Sequence, residues 1–325
     1  MFAYAVRRLI ISIPVLLTST FLVFLMVSLS GDPLADLRAR QPPPPESVLR
    51  AQAHELRLDQ PMLERYWHWI SGIPRGDFGP SVQNINIGHE LWIRFGVTMR
   101  LVLLAVLLAA IIAGVVGVVS AAKQYSPTDY ALTGLGFLFL AMPVFWFAIL
   151  LKQLAVNINL QTGHTIFYTI GDRSIETTGG LAAQIGDIAG HLILPTIVLA
   201  ITSFASWSRF NRASMLEVLS SDYVLLARAK GLPRRQVLVR HALRTALAPM
   251  VTVMSMDFAA FFSGAIVTET VFQWHGMGDL LLTSIQLRDV YPVLAWLLIA
   301  GSAVILMNLI ADLLYALLDP RIRYA

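Results

Sequence analysis

The sequence contains no cysteine and is poor in charge: Asp, Glu, Lys and Arg make up 14% of its 325 residues, while 56% are hydrophobic. Soluble domains carry roughly 25% charged residues, so the deficit places the chain in the membrane class. Lack of thiols excludes disulfides, thiolate metal sites and cysteine catalysis within it. No GxxxxGK[ST] run occurs, which excludes a phosphate-binding loop and ATP hydrolysis by this chain. HExxH and GxSxG are also missing, which argues against a membrane-embedded enzyme. The histidines (His54, His68, His89, His164, His191, His241, His275) are scattered, with no pair at ligand spacing, so no metal site is expected. Neither an internal repeat nor a cluster of intramembrane charges is evident, and an autonomous secondary transporter would need both.

What the chain does have is long apolar runs. A bilayer core takes about 20 apolar residues in a helix, and six segments qualify. They predict an all-α membrane protein with spans at about 9–29, 97–122, 131–156, 188–207, 246–271 and 291–318. The first could be a signal peptide, but its apolar run exceeds the usual signal core of about 7–15 residues, so it is read as a retained span. Residues 1–29 then form an N-terminal transmembrane helix, 30–96 a loop domain and 97–318 a five-span core. Within that core 209–249 form a polar hairpin, and 319–325 are a tail.

Orientation follows from the Lys/Arg bias of short loops. Arg7, Arg8, Lys123, the hairpin, Arg321 and Arg323 share one side if there are six spans, which predicts cytoplasmic termini. The segment from Ser30 to Gly96 is then outside. It combines a stiff Pro42–Pro45 element with an amphipathic helical pattern from Glu46 to about Ile70. Tyr66, Trp67 and Trp69 suit either an interfacial or a packed position. Such a segment can be a small cap, or a lid or docking surface for a soluble partner.

The hairpin is the least ordinary feature. Arg209, Arg212, Arg228, Lys230, Arg234, Arg235, Arg240 and Arg244 stand against only Glu217 and Asp222. Leu216, Leu219, Tyr223, Leu226 and Ala229 recur at helical spacing, predicting a helix over about 214–230 with that apolar face. Gly231 suits a positive-φ helix cap and Pro233 the first turn of a following short helix. That helix carries Val237, Leu238, His241, Leu243 and Leu247. A merely solvated loop needs no apolar face. A DNA-binding helix-turn-helix would be pinned at the bilayer by its flanking spans, so no nucleic-acid partner is expected. The remaining reading is a coupling element that passes rigid-body motion from a cytoplasmic partner to the spans.

Here the residues carry a resemblance. DYVLLARAKGL (Asp222–Leu232), RHALRTALAP (Arg240–Pro249), ELRLDQP (Glu55–Pro61), GDFGPS (Gly76–Ser81), TETVFQWHGMG (Thr268–Gly278) and DLLYALLDPRIRY (Asp312–Tyr324) together resemble the dipeptide/oligopeptide/nickel branch of binding-protein-dependent ABC importer permeases. The resemblance implies the type I ABC importer permease fold in a bacterial inner membrane. It also implies a second homologous permease, two ABC ATPase subunits that hold ATP and Mg²⁺, an extracytoplasmic peptide-binding protein and surrounding lipid. Carried over by position, Asp222, Tyr223, Ala227, Arg228, Ala229, Lys230 and Gly231 are implied to face an ATPase subunit.

Other candidates stay open between two roles. Asp257, midway through the fifth span, must face protein or water; it either lines a translocation path or makes a structural hydrogen bond. Phe258 and Phe261 either gate that path or simply pack, and Phe262 shares their surroundings. The stripe Ser255, Ala259, Ser263 permits close helix approach, against the partner permease or within the chain. Glu269 is expected to brace the outer end of the fifth span, and Asp312 to pair with Tyr315 near the cytoplasm.

Overall fold

Backbone polar groups in lipid must be satisfied within the segment that carries them, which selects helices, and the chain is built accordingly. The computed structural model describes residues 2–174 and 179–318, and no strand occurs among them. The helices are α1 (Phe2–Leu29), α2 (Ala35–Arg38), α3 (Glu46–Glu55), α4 (Met62–Gly72), α5 (Ile87–Ala122), α6 (Pro127–Ala141), α7 (Val144–Thr162), α8 (Leu181–Leu219), α9 (Asp222–Ala229), α10 (Arg234–Gln236), α11 (Leu243–Phe272), α12 (Met277–Gln286) and α13 (Val290–Leu318). Val237–Ala242 form a π-helical stretch joining α10 to α11. Among the described residues six helices are long and apolar enough to cross a membrane: Val6–Leu29, Ile87–Ala122, Val144–Thr162, Leu181–Leu219, Arg234–Ser255 and Val290–Ile310. The chain is an all-α, multi-pass membrane protein.

The sequence pattern predicts one continuous helix over 131–156, and the structure differs. α6 ends at Ala141 and α7 starts at Val144, with Met142 extended (φ −86°, ψ 123°). Pro143 explains the break: proline has no N–H to continue the ladder and pushes its predecessor out of the α region. α7 is the segment long enough to cross.

Contacts group the described residues into two units, Phe2–Thr98 with His275–Ile305, and Met99–Trp274 with 306–318. In the first, Phe24 of α1, Trp69 of α4, Ile87, Leu91, Met277, Leu280, Tyr291 and Leu294 form one buried cluster. The segment between spans 1 and 2 is therefore packed structure. In the second, α11 packs chiefly on α8, with α6 and α7 against the same helix. Hydrocarbon removes the hydrophobic drive between spans, so close approach depends on small residues. Leu101, Ala105, Ala109 and Ala113 bury one stripe of α5, while Leu104, Leu107, Ile111 and Val115 are exposed on the helix's other faces. Gly117 continues the tight face, because a Cβ there would lie 2.5 Å from Asn211 Nδ2.

Candidate functional site

The hairpin begins where α8 ends. Ser220 and Ser221 interrupt the helix, and each hydroxyl turns back to a carbonyl of the preceding turn (Glu217 O at 2.8 Å, Val218 O at 2.5 Å). Local hydroxyl bonds of this kind compete with the helical ladder. α9 then runs from Asp222, whose carboxylate at the N-terminus suits the helix dipole. Gly231 closes it with φ +77°. Its N–H donates to Arg228 O (2.9 Å) and that of Leu232 to Ala227 O (3.4 Å), satisfying the carbonyls of the last turn.

Interruption changes which face is buried. The expected apolar face of Leu216, Leu219, Tyr223, Leu226 and Ala229 requires one continuous helix, and the helix is broken at Ser220–Ser221. The structure instead buries Val224 and Ala227, packed with Ala121, Met215, Val218, Val237, Ala242 and Ala246. Tyr223, Leu225 and Leu226 are exposed. Of the residues expected at a partner surface, Asp222, Tyr223, Arg228, Ala229, Lys230 and Gly231 are exposed; Ala227, at 6% exposure, faces inward and holds α9 in place. The second arm also differs from a short separate helix. Pro233 is its N-cap (φ −63°, ψ 143°), and the helical backbone continues from Arg234 through the π stretch into α11. The second arm is therefore continuous with α11, whereas α9 is set off from α8 by the Ser220–Ser221 break.

A polar brace missed by the sequence reading lies beneath it. Arg212 of α8 donates to both carboxylate oxygens of Asp129 in the first turn of α6, at 2.9 and 2.7 Å. Ser120 Oγ and the Tyr125 N–H donate to the same carboxylate. The Arg212 bonds hold Asp129 well below the usual carboxylate range, against the opposite pull of burial. Arg212 is thereby withdrawn from the exposed basic field, Arg209 sits over Phe137 at 4.9 Å, and Arg234 caps the Ala122 carbonyl. Arg228 and Lys230 have no such partner among the described residues. An open cleft of about 750 Å³ beside the hairpin is lined by Lys123, Arg228 and Arg234 together with Leu216, Leu219 and Leu225. A signal for the brace was present: Asp129 follows a Ser126–Pro127 helix start, and an acid there, flanked by apolar spans, needs a cation.

In α11, Asp257 accepts a 2.6 Å hydrogen bond from Nε1 of Trp207, a fully buried residue of α8. Trp207 also packs on Phe261 (5.7 Å between rings), and Phe258 meets Phe262 edge-on at 5.6 Å. Phe258 and Phe261 are buried. Glu269 is buried near the end of α11, and its carbonyl accepts the Trp274 N–H at 2.8 Å beyond a left-handed Gln273 (φ 51°). Around that end Lys152 Nζ donates to Val271 O (2.6 Å), and Arg100 pairs with Asp172 (2.6 Å) while lying over Trp274. Asp312 is partly buried in α13. The side chains of Tyr315, Ala259 and Ser263, and residues 319–325, lie outside those described, so the Asp312–Tyr315 pair and the small-residue stripe are not placed. No group of three His, Asp or Glu among the described residues could hold a metal ion.

Comparison with known proteins matches residues 113–324 to the family model described as binding-protein-dependent transport system inner membrane component. Residues 1–87 match the corresponding N-terminal model. The oligopeptide transport system permease protein OppB of Mycobacterium tuberculosis is 40% identical over 320 residues, covering 98% of each chain. The dipeptide transport system permease protein DppB of Escherichia coli K12 is 38% identical, over 100% of this chain and 99% of that one. The oligopeptide transport system permease protein AppB of Bacillus subtilis 168 is 37% identical over the full length of both.

Proposed function

The chain belongs to the family of binding-protein-dependent transport system inner membrane components, and we propose that it is a permease subunit of an ATP-driven importer of oligopeptides or dipeptides. The observation that carries this reading is end-to-end similarity to relatives whose names specify such transport, at 37–40% identity. In it, a second homologous permease completes the path, two ABC ATPase subunits bind ATP and Mg²⁺, and an extracytoplasmic peptide-binding protein delivers cargo. Hairpin and termini face the cytoplasm of a bacterial cell.

The hairpin's construction supports a coupling role. α9 offers Asp222, Tyr223, Leu225, Leu226, Arg228, Ala229 and Lys230 outward, while Val224 and Ala227 lock it onto α8 and the start of α11. Packed interiors transmit displacement rather than absorb it. A push on α9 by a closing ATPase dimer therefore moves the roots of two spans together. Asp257, half-buried on α11, one of the helices so moved, is proposed to border the path, with Phe258 and Phe261 packed inside the chain behind it. Trp207 holds the Asp257 carboxylate in a fixed orientation there.

Co-reconstitution with candidate partners tests the reading. ATP hydrolysis stimulated by peptide-loaded binding protein, with uptake of labelled peptide, is the expected result. Stimulation by Ni²⁺ in place of every peptide overturns the peptide assignment. Gly231→Glu tests the hairpin. A Cβ at Gly231 meets nothing within 4 Å, so the cost is confined to about 1–2 kcal/mol of backbone strain at φ +77°, and the substitution projects a charge at the partner face. The complex is expected to co-purify while uptake falls to background and hydrolysis continues; normal uptake refutes the role.

A further inference from the structure

The segment between spans 1 and 2 contains one helix whose position the transport reading does not use. α4 packs on α1 through a defined face. Trp69 is buried in the same cluster as Phe24, and Arg65 lies over the Phe24 ring at 5.6 Å. Tyr66 meets Phe21 edge-on at 5.1 Å and Phe24 at a tilt at 5.5 Å between ring centroids. The Tyr66 hydroxyl donates to Leu17 O at 3.0 Å and lies 2.9 Å from Thr20 Oγ1.

These contacts fix a depth. α1 crosses as the apolar run Val6–Leu29, and α4 meets it along Leu17–Phe24. At 1.5 Å per residue, Phe24 lies roughly 8 Å and Leu17 roughly 18 Å below Leu29. Half of a typical hydrocarbon core is about 15 Å. Tyr66 therefore points toward the middle of the span from a helix that sits just inside its end. Interfacial amphipathic helices occupy this level, with their apolar side about 5–10 Å into the boundary between headgroups and acyl chains.

The contacts also fix a rotation. With Arg65 and Trp69 turned to α1, Leu63 and Trp67, each offset from them by two residues, share the edge facing away from α1, at i, i+4 spacing. Both are exposed, at 69% and 70%. Glu64 and His68, also exposed, form the next edge around the helix. Apolar and polar residues thus divide the open surface of α4 into two strips, and the apolar strip adjoins the one holding Tyr66.

We propose that α4 is an interfacial membrane helix whose Leu63–Trp67 edge is sunk into the acyl-chain boundary of the leaflet at the Leu29 end of span 1. Phospholipid is the occupant of this edge. The strip lies level with the apolar surface of α1, and Trp is favoured at this depth. Glu64 and His68 face the headgroups and water. Lipid contact thereby anchors the segment between spans 1 and 2. This inference depends on the chain crossing a membrane and is independent of its cargo.

The natural absence of cysteine makes the test direct. Single variants Leu63→Cys, Trp67→Cys and His68→Cys of the full chain, each carrying a nitroxide, are reconstituted in vesicles of phosphatidylcholine and phosphatidylglycerol. Collision with oxygen, which partitions into lipid, is compared with collision with a water-soluble nickel chelate. A several-fold higher oxygen-to-nickel ratio at positions 63 and 67 than at 68 is expected. Equal ratios at all three deny the Leu63–Trp67 edge a lipid-facing side of its own, and shielding of 63 and 67 from both reagents places it under protein; either result overturns the proposal. Should labelled variants fail to fold, wild type and Trp67→Phe are compared in dibrominated phosphatidylcholine. Quenching of tryptophan emission is expected to drop in Trp67→Phe, and an unchanged quench overturns the proposal.

Discussion

Asp129, beneath the hairpin, and Asp289, at the start of α13, are equally sealed, at 2% and 1% exposure, yet their surroundings treat charge in opposite ways. Asp129 receives a bidentate guanidinium from Arg212, plus Ser120 and a backbone N–H. Among the described residues Asp289 receives neutral donors, Ser81 Oγ at 2.6 Å and Val82 N at 2.9 Å. Burial pushes the Asp289 carboxyl up to about 6, with these two bonds opposing it in part. Asp129 is held down. Burial by itself does not decide whether a carboxylate keeps its charge; the partner does. At the hairpin, a permanent ion pair ties α6 to α8, which suits a base that must carry force. At the other carboxylate, the tie between Ser81–Val82 and α13 is sensitive to pH.

The strongest way to break this contrast is Arg212→Gln. It leaves a buried carboxylate without its cation, which typically costs about 3–5 kcal/mol. Thermal unfolding in detergent at neutral pH should show a large loss, and Asp129→Asn added to it should restore part of that loss. No recovery in the double variant would show that the pair is not what holds α6 to α8.

Asp289→Asn probes the other side with a smaller effect. Because the folded carboxyl is raised, the folded state holds its proton more tightly than the unfolded chain between about pH 4 and 6. This group's contribution is therefore fully present below pH 4, declines as pH rises to about 6, and is flat above. At about 1.4 kcal/mol per unit the span is about 2–3 kcal/mol. The difference in melting temperature between wild type and Asp289→Asn should change across this window and level off above it. A difference independent of pH would refute the assignment.

Asp257, in α11, accepts a hydrogen bond from one neutral donor, the Trp207 indole. Asp257→Asn keeps an acceptor for Trp207 and should cost about 1 kcal/mol in stability. Asp257→Ala strands the buried N–H and should cost about 1–3 kcal/mol. If Asp257 also borders the path, Asp257→Asn will lower peptide uptake more than its stability loss explains. Uptake that falls only in step with stability assigns the residue to packing alone.

Much of the architecture was legible in the sequence. The apolar runs are long because hydrocarbon admits few charges, and the glycine at 231 stands out because a turn after a helix favours positive φ. Two things were not legible. The register of α9 depended on whether α8 continues through Ser220–Ser221, and periodicity cannot report a break that costs only one turn of helix. The partners of Asp129 and Asp257 were also hidden. Arg212 lies 83 positions from the one and Trp207 50 from the other, and one-dimensional spacing says nothing about which helices touch.

From its sequence alone this chain is a multi-pass helical membrane protein with a basic hairpin, no nucleotide loop and a recognisable permease pattern. Composition, charge placement and local motifs suffice for that, since each acts through the solvent or through neighbours along the chain. Tertiary structure decided which face of α9 turns outward, which arginine is spent on an internal pair, and at what depth α4 meets the first span. Those outcomes depend on packing between helices distant in sequence, where the competing arrangements share the same composition and the same periodicity.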